Sequence, residues 1–162
     1  MSRIAPAALL LSLALVPGLA GQGGEEEEAV SRVLDALHEA AADGAYEAYF
    51  DLYADGAIFL GTDATERWTK AEFMAYAQEP FADGHGWTYV PLERHVTVAP
   101  GAEVAWFDER LENANLGETR GSGVLVREAG EWKVAQYNLT IPIPNEIARE
   151  VVARIRACCV EP

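Results

Sequence analysis

The stretch EVAWFDERLENANLGETRGSGVLVREAGEWKVAQYNLTIPI, residues 103–143, decides the fold. Apolar and polar side chains alternate along it with a period of two, which is typical of β-strands. The turn sequences Asn115-Leu116-Gly117 and Ala129-Gly130 interrupt this alternation and are short enough to join antiparallel neighbours. With one more strand before Pro100-Gly101, the sequence predicts a meander of long strands over 88–98, 103–115, 118–128 and 131–143.

The residues before this meander are predicted to be mainly helical. Apolar residues recur at helical spacing over 26–42 and again over 46–53, and a short apolar run over 57–60 is consistent with a strand. The sequence from Thr69 to Glu72 has the pattern of a capping box, which predicts a third helix to about Gln78, ended by Glu79-Pro80. Beyond the meander, the spacing of three further apolar residues predicts a terminal helix: Ile147, Val151 and Ile155.

This element order predicts an α+β domain in which the N-terminal helices pack on a curved antiparallel sheet. The 162 residues are half apolar and 23% charged, which suits one globular domain and argues against disorder or a polytopic membrane protein. Gly121 and Gly123 lie inside a strand, where glycines commonly mark a bend or bulge. A sheet that bends over helices encloses a pocket.

The charge of the chain excludes two classes of partner. Twelve basic and 26 acidic residues give a net charge of −14. Because Arg3 is the only charged residue among the first twenty, the remainder carries 11 − 26 = −15. Such a surface repels nucleic acids and anionic membranes, so we expect neither as a partner. The expected partner is a small-molecule ligand of the pocket.

The first twenty residues have the order of a secretory signal peptide. Arg3 precedes an apolar run, and Pro17-Gly18 and small residues follow it up to Ala20. Gln22 stands where a lipoprotein would need a cysteine, so we expect a soluble, periplasmic or secreted product without a membrane anchor. Residues 21–25 are then predicted to form a short leader before the first helix.

Five segments resemble, in this order, the SnoaL-like branch of the nuclear transport factor two superfamily. They are residues 61–68 (GTDATERW), 104–107 (VAWF), 120–125 (RGSGVL), 132–139 (WKVAQYNL) and 141–145 (IPIPN). The likeness covers residues 26–148, and residues 149–162 remain as the end of the terminal helix and a tail.

The resemblance implies a cone of curved sheet over three helices, a central pocket and frequent homodimers packed through the outer face of the sheet. It implies little about chemistry, because this scaffold hosts isomerases, cyclases, dehydratases and many members without known activity. Members of the family often carry a histidine where Asn138 stands here.

The last long strand supplies the first candidate binding residues. If Trp132 and Val134 point into the pocket, strict alternation also directs Gln136 and Asn138 inward, nearer its mouth. A polar mouth above an apolar floor suits a binding pocket. The alternative is that both amides face water.

Other strands and the turn at 61–68 supply the remaining candidates. Trp106 and Asp108 share a strand face, and a carboxylate enclosed in a cavity could act as a general base. Arg120 could bind an anionic ligand through its planar guanidinium, and Trp68 could form a wall at the pocket rim. The alternatives are a solvent-exposed Asp108, an Arg120 that only neutralises nearby acids and a structural Trp68.

Metal and cofactor sites are not predicted. No two of the three histidines have the close spacing of a metal-binding pair. The chain also lacks a phosphate-binding loop and a dinucleotide fingerprint. Cys158-Cys159, at the end of the terminal helix, are expected to be free or bridged between chains, because adjacent cysteines bond to each other only with strain.

Three functions remain open at this point. The domain binds a small, partly apolar molecule; or it is an isomerase, dehydratase or cyclase that uses a pocket carboxylate such as Asp108 as a base; or it is a dimeric interaction module. A carboxylate and a hydrogen-bond donor that converge in the cavity would favour the enzyme. A cavity lined only by aromatic side chains would favour binding.

Overall fold

The computed structural model describes residues 22–158, so the predicted signal peptide and Cys159 lie outside the described residues. Helices and strands follow each other along the chain as α1 (Gln22–Ala42), α2 (Tyr46–Asp51), β1 (Tyr53–Leu60), β2 (Arg67–Thr69), α3 (Lys70–Phe81), β3 (Val90–Val98), β4 (Val104–Asn113), β5 (Gly117–Glu128), β6 (Glu131–Thr140) and α4 (Ala148–Cys158). None of the helices in this part of the chain is long and apolar enough to cross a membrane.

The six strands form one sheet in the order β2-β1-β6-β5-β4-β3. The α+β architecture is therefore confirmed, and the predicted meander is seen in β3 to β6, all antiparallel neighbours. The sheet is mixed rather than purely antiparallel, because β1 runs parallel to β6. A parallel pair needs a long connection, and β2, α3 and the strands β3 to β5 lie between β1 and β6 in sequence.

The hydrophobic core lies between the inner face of the sheet and α1, α2 and α3. Val30, Leu34 and Leu37 form the buried stripe of α1, at the predicted helical spacing. Phe107 and Leu125 face them from the sheet, and both are buried. Burial of such side chains contributes roughly 1.5–3 kcal/mol each, which makes this interface the main source of stability.

Some element boundaries differ from the prediction, and α1 already begins within the predicted leader. Tyr53 opens β1 instead of closing α2, because the chain turns at Leu52. The capping box is confirmed, since Thr69 and Glu72 exchange hydrogen bonds at the start of α3. The helix continues through Pro80 to Phe81, whose buried ring packs edge-on against Trp87. That packing extends the helix past a residue that usually ends one.

A β-bulge in β6 changes which side chains face the core. Val124 pairs with Gln136 and Leu125 pairs with Val134, so Ala135 between them has no partner on β5. A bulge shifts the alternation by one residue. Trp132 and Val134 are buried before it, as predicted, but the inward residues after it are Tyr137 and Leu139.

Gly123 allows this bulge to pack. A Cβ atom there would overlap the carbonyl oxygen of Gln136 and lie 2.9 Å from the ring of Phe107. The prediction that a strand glycine marks a bulge is therefore confirmed at this position.

The terminal helix α4 is confirmed, although none of its described residues is buried. Cys158 takes part in a disulfide bond, so the expectation of a free thiol is wrong for this residue. The other cysteine of the chain, Cys159, lies outside the described residues.

Candidate functional site

A cavity of about 230 Å³ lies under the curved sheet, between its inner face and the helices. Aromatic side chains form most of its wall. Phe59 from β1, Trp68 from β2, Phe73 from α3, Trp87 from the loop before β3 and Tyr137 from β6 all line it. Three more tyrosines complete the aromatic lining: Tyr49, Tyr76 and Tyr89.

Several of these rings lie nearly parallel. The planes of Phe59 and Phe73 are 15° apart with ring centroids at 3.9 Å, and Tyr137 is tilted by only 5° from Phe59. Trp68 continues the array, at 12° to Phe59, and stacks on Tyr76 with centroids 4.6 Å apart. Trp68 thus lies on the wall of the cavity, and its part in ligand binding stays a prediction.

The loop between β1 and β2 contributes polar groups at the edge of the cavity. Thr62 and Glu66 line it there, together with Gly61. The carboxylate of Glu66 accepts a hydrogen bond of 3.1 Å from the backbone N–H of Asp63. Glu66 is half-buried, and within residues 22–158 it forms no ion pair. It is also the only acidic residue on the described lining, which contains no lysine or arginine.

A buried carboxylate, Glu109 on β4, lies behind the cavity wall. It is 2% exposed, and three side chains surround it. His38 Nε2 lies 2.9 Å from Oε1, the hydroxyl of Tyr137 donates to the same oxygen at 2.9 Å, and Nε of Arg94 donates to Oε2 at 2.8 Å. We call these four residues the Glu109 network.

Each member of the Glu109 network comes from a different element: α1, β3, β4 and β6. Arg94 also donates from Nη1 to Asp35 at 2.7 Å and to the carbonyl of Ser31 at 3.0 Å, which attaches β3 to α1. Gly121 leaves the space for the network, because a Cβ atom there would overlap the hydroxyl of Tyr137 and lie 2.9 Å from Glu109.

The ionisation of this network follows from its contacts. Burial alone would raise the pKa of the Glu109 carboxyl, but the hydrogen bond and charge of His38 and the charge of Arg94 outweigh burial and bring the pKa below its ordinary value. Burial and the nearby Glu109 carboxylate raise the pKa of Tyr137 well above its ordinary value. Glu109 is therefore the anion, and Tyr137 stays a hydrogen-bond donor to it.

His38 connects this network to the cavity, because it lines the cavity wall as well. A carboxylate can only accept, so Nε2 of His38 carries the hydrogen in its bond with Glu109. In the neutral ring Nδ1 is then the acceptor, and it has no hydrogen-bond partner within residues 22–158. This is the arrangement of a base whose orientation is fixed by a carboxylate.

A model of the SnoaL-like domain matches residues 30–144, most of the chain. The chain belongs to the SnoaL-like domain family. A search of the curated proteins finds no match to this SnoaL-like protein.

Solved structures confirm the NTF2-like fold. An NTF2-like protein of unknown function from Pseudomonas putida is 15% identical with a TM-score of 0.62, over 76% of this chain and 91% of that one. A protein provisionally described as a dehydratase of the NTF2-like family, from Streptomyces avermitilis, is 15% identical with a TM-score of 0.62. The match covers 75% of this chain and 99% of that one. A protein provisionally described as an aromatic ring hydroxylase, from Novosphingobium aromaticivorans, is 17% identical with a TM-score of 0.61, over 74% and 91%. At these identities the likeness concerns the fold alone.

Two predicted site residues of β4 lie outside the cavity of this SnoaL-like domain. Burial alternates along the strand so that Phe107, Glu109 and Leu111 face inward. Trp106 is therefore 49% exposed on the outer face, and Asp108 is exposed beside it. The prediction of Asp108 as an enclosed carboxylate is wrong, because the odd-numbered residues of this strand face inward. The enclosed carboxylate is that of the next residue, Glu109.

The other three predicted residues also lie on the outer face. Arg120 is exposed on β5, directly opposite Arg110 of β4. Gln136 is exposed and Asn138 is half-exposed, because the bulge at Ala135 turns them away from the cavity. None of the three lines the cavity.

The sequence reasoning missed His38, Glu109 and Tyr137 as members of the site. A signal for His38 is its position four residues after Leu34 on the apolar face of α1. For Glu109 the signal is its alternation with Phe107 and Leu111, which are both apolar. In the described part of the chain, no group of three His, Cys, Asp or Glu side chains has a geometry that could hold a metal ion.

A larger but more open groove of about 490 Å³ lies between the start of α1 and the β5–β6 turn. Its central carboxylate, Glu26, already pairs with Arg127 and accepts a 2.9 Å hydrogen bond from the indole of Trp132. We regard this groove as a structural contact between α1 and the sheet, and the aromatic cavity as the candidate site.

Replacement of Glu109 by glutamine tests the Glu109 network. At pH 7, Glu109→Gln is expected to lower the free energy of unfolding by about 3–5 kcal/mol, because it leaves the charge of Arg94 without its buried partner. The neighbouring Asp108→Asn is the control and should change it by less than about 0.5 kcal/mol, since Asp108 is exposed. Urea unfolding measures both.

The pH dependence of the same variants supplies a second readout. The folded-state pKa of Glu109 is lowered, so its stabilisation is present above the ordinary value of 4.5 and is lost as the pH falls through the folded-state value. The difference in free energy of unfolding between the wild type and Glu109→Gln should therefore narrow as the pH falls below 4.5 and through the folded-state pKa. A difference in free energy of unfolding that widens in acid would contradict the assignment of Glu109 as the buried anion. Equal losses of free energy of unfolding in Glu109→Gln and Asp108→Asn would contradict it as well.

Proposed function

We propose that the cavity binds a small, partly apolar molecule that contains one flat ring. The observation that carries this proposal is the aromatic wall, in which Phe59, Trp68, Phe73 and Tyr137 hold nearly parallel planes. Offset stacking on such rings contributes about 0.5–1.5 kcal/mol per pair beyond burial of apolar area. A flat ring is the ligand shape that gains most from it.

The size and polarity of the cavity support the same ligand class. Its volume of about 230 Å³ lies below the roughly 300–1,000 Å³ of pockets for drug-sized ligands. A one-ring molecule therefore fits better than a fused polycycle. Nδ1 of His38, the hydroxyl of Thr62 and the carboxylate of Glu66 are the polar groups that would orient it.

Removal of one aromatic wall tests the proposal. Trp68→Ala is expected to weaken the binding of a one-ring aromatic ligand about tenfold or more, because it removes a stacking surface. Trp106→Ala is the matched control on the outer face and should leave the affinity unchanged. Titration calorimetry against a panel of one-ring compounds measures the affinities, with thermal unfolding to confirm that both variants fold. Equal losses of affinity in Trp68→Ala and Trp106→Ala would contradict a ligand site at the cavity.

A second candidate function is proton transfer by His38. It is favoured by one observation: the histidine lines the cavity while Glu109 fixes Nε2–H and leaves Nδ1 without a partner within residues 22–158. Nδ1 would accept a proton from the carbon beside a ligand carbonyl, and Glu109 would act as the positioning residue. The provisional description of the Streptomyces avermitilis neighbour as a dehydratase is compatible with such chemistry.

Deuterium exchange tests this second function. In D₂O the wild type is expected to incorporate deuterium beside the carbonyl of a one-ring ketone that binds, as measured by mass spectrometry. His38→Gln should abolish the exchange while it retains binding within about threefold, because it removes the base but keeps a polar side chain. His95→Gln, at an exposed histidine of β3, is the control. Exchange that persists in His38→Gln would exclude the histidine as the base.

The proposal also includes export and pairing of two copies. Export is supported by the order of charge, apolar run and small residues over 1–20. Pairing is supported by the outer face of the sheet, where Val104 and Trp106 are 39% and 49% exposed while α1, α2 and α3 pack on the other face. Large exposed apolar side chains on one sheet face are typical of an interface.

Protein purified from its native host tests both parts. The expected result is a mature chain without residues 1–20 in intact mass spectrometry, and a dimer in sedimentation at micromolar concentration. A chain that retains those residues would refute export. A monomer would refute pairing through the sheet.

A further inference from the structure

We propose that the ligand of the aromatic cavity is a cation, an organic ammonium group attached to the flat ring. This inference rests on the proposed function and names the ligand's charge, which the aromatic wall alone leaves open. The observation that carries it is the combination of one carboxylate without an ion pair, Glu66, with a wall of aromatic rings and no lysine or arginine among the described lining residues. The histidine of that lining, His38, already pairs with Glu109.

The surroundings of Glu66 leave its charge uncompensated. The only hydrogen bond that its carboxylate accepts from a described residue comes from the backbone N–H of Asp63. Its neighbour Arg67 is exposed, and neither Arg67 nor Lys70 lines the cavity. Nζ of Lys70 donates instead to the carbonyl of Tyr53 at 2.7 Å. A half-buried carboxylate that a ligand covers needs a positive or hydrogen-bonding partner to offset the loss of its water.

The cationic member of the Glu109 network, Arg94, does not line the cavity. Arg94 lies behind the wall, where Glu109 and Asp35 both accept hydrogen bonds from it. Its charge is therefore balanced within the protein. An anionic ligand would meet Glu66 at the edge of the cavity. The described lining offers it no lysine or arginine, and His38 already pairs with Glu109.

The aromatic rings reinforce the preference for a cation. The face of each ring carries a partial negative charge that attracts an ammonium group within about 6 Å of its centre. Trp68 and Tyr76 line the same cavity as Glu66, and the net charge of −14 adds a long-range attraction for cations. A neutral ring would gain the stacking but would leave Glu66 without a partner.

Three one-ring ligands of different charge test this inference on the full mature chain. Benzyltrimethylammonium is the cation, neopentylbenzene is the neutral isostere in which carbon replaces nitrogen, and phenylacetate is the anion. The cation is expected to bind about tenfold more tightly than the neutral isostere, because it gains the attraction of the rings and of Glu66. The anion should bind most weakly. Quenching of tryptophan fluorescence at low salt measures all three.

Two variants with equal net charge locate the source of the preference. Glu66→Gln is expected to weaken binding of the cation about fivefold and to leave the neutral isostere unchanged, since it removes the one acidic lining group. Glu79→Gln, at an exposed position of α3 away from the cavity, should change neither affinity. The comparison of ligands on the wild type stands even if the Glu66 variant fails to fold.

Each of the other outcomes overturns the inference. Equal or tighter binding of the neutral isostere or the anion refutes the preference for a cation but leaves the proposed function standing. Equal losses in Glu66→Gln and Glu79→Gln would assign the attraction to net charge rather than to the cavity. Failure of all three ligands to bind would refute the proposed function as well.

Discussion

The buried carboxylate of Glu109 is the constraint on which the rest of the structure depends. An anion in the core must be compensated, because an unpaired buried charge costs several kcal/mol. The compensation comes from His38, Arg94 and Tyr137, which lie on three different elements. The Glu109 side chain thus fixes three features at once: the position of α1 over the sheet, the register of β3 and the rotation of β6. Such a network favours one arrangement of the domain over other packings of the same apolar surfaces.

The bulge at Ala135 connects this constraint to the cavity. It turns β6 so that Tyr137 faces inward and reaches Glu109, and so that Leu139 lines the cavity. Gly121 and Gly123 on the adjacent strand leave the room that this rotation needs. As a result the network adjoins the cavity wall, and His38 and Tyr137 belong to both. A ligand that contacts His38 would therefore contact a group whose orientation the fold already fixes, which lowers the entropic cost of binding.

The sequence predicts the elements of the fold better than the site. Turns at Asn115-Leu116-Gly117 and Ala129-Gly130 and the capping box at Thr69 act locally, so their residues are sufficient to place the strands and the start of α3. The inward faces of β4 and β6 depend on contacts between distant residues. On β4, the apolar Trp106 lies on the exposed face, so alternation assigns its neighbour on that face, Asp108, to the cavity. On β6, nothing in the sequence around Ala135 marks the bulge, so alternation assigns Gln136 and Asn138 to the cavity as well. Trp68 does line the cavity, because it lies on the short segment between β1 and α3 that forms the edge of the cavity.

The most direct test of the account is a crystal structure of the mature chain with benzyltrimethylammonium. The account predicts electron density for the ring inside the cavity beside Trp68, with the ammonium group within about 6 Å of an aromatic ring centre and facing the carboxylate of Glu66. It also predicts that His38, Arg94 and Tyr137 still surround Glu109 in that structure. Density on the outer face of the sheet near Gln136 and Asn138, with an empty cavity, would contradict it.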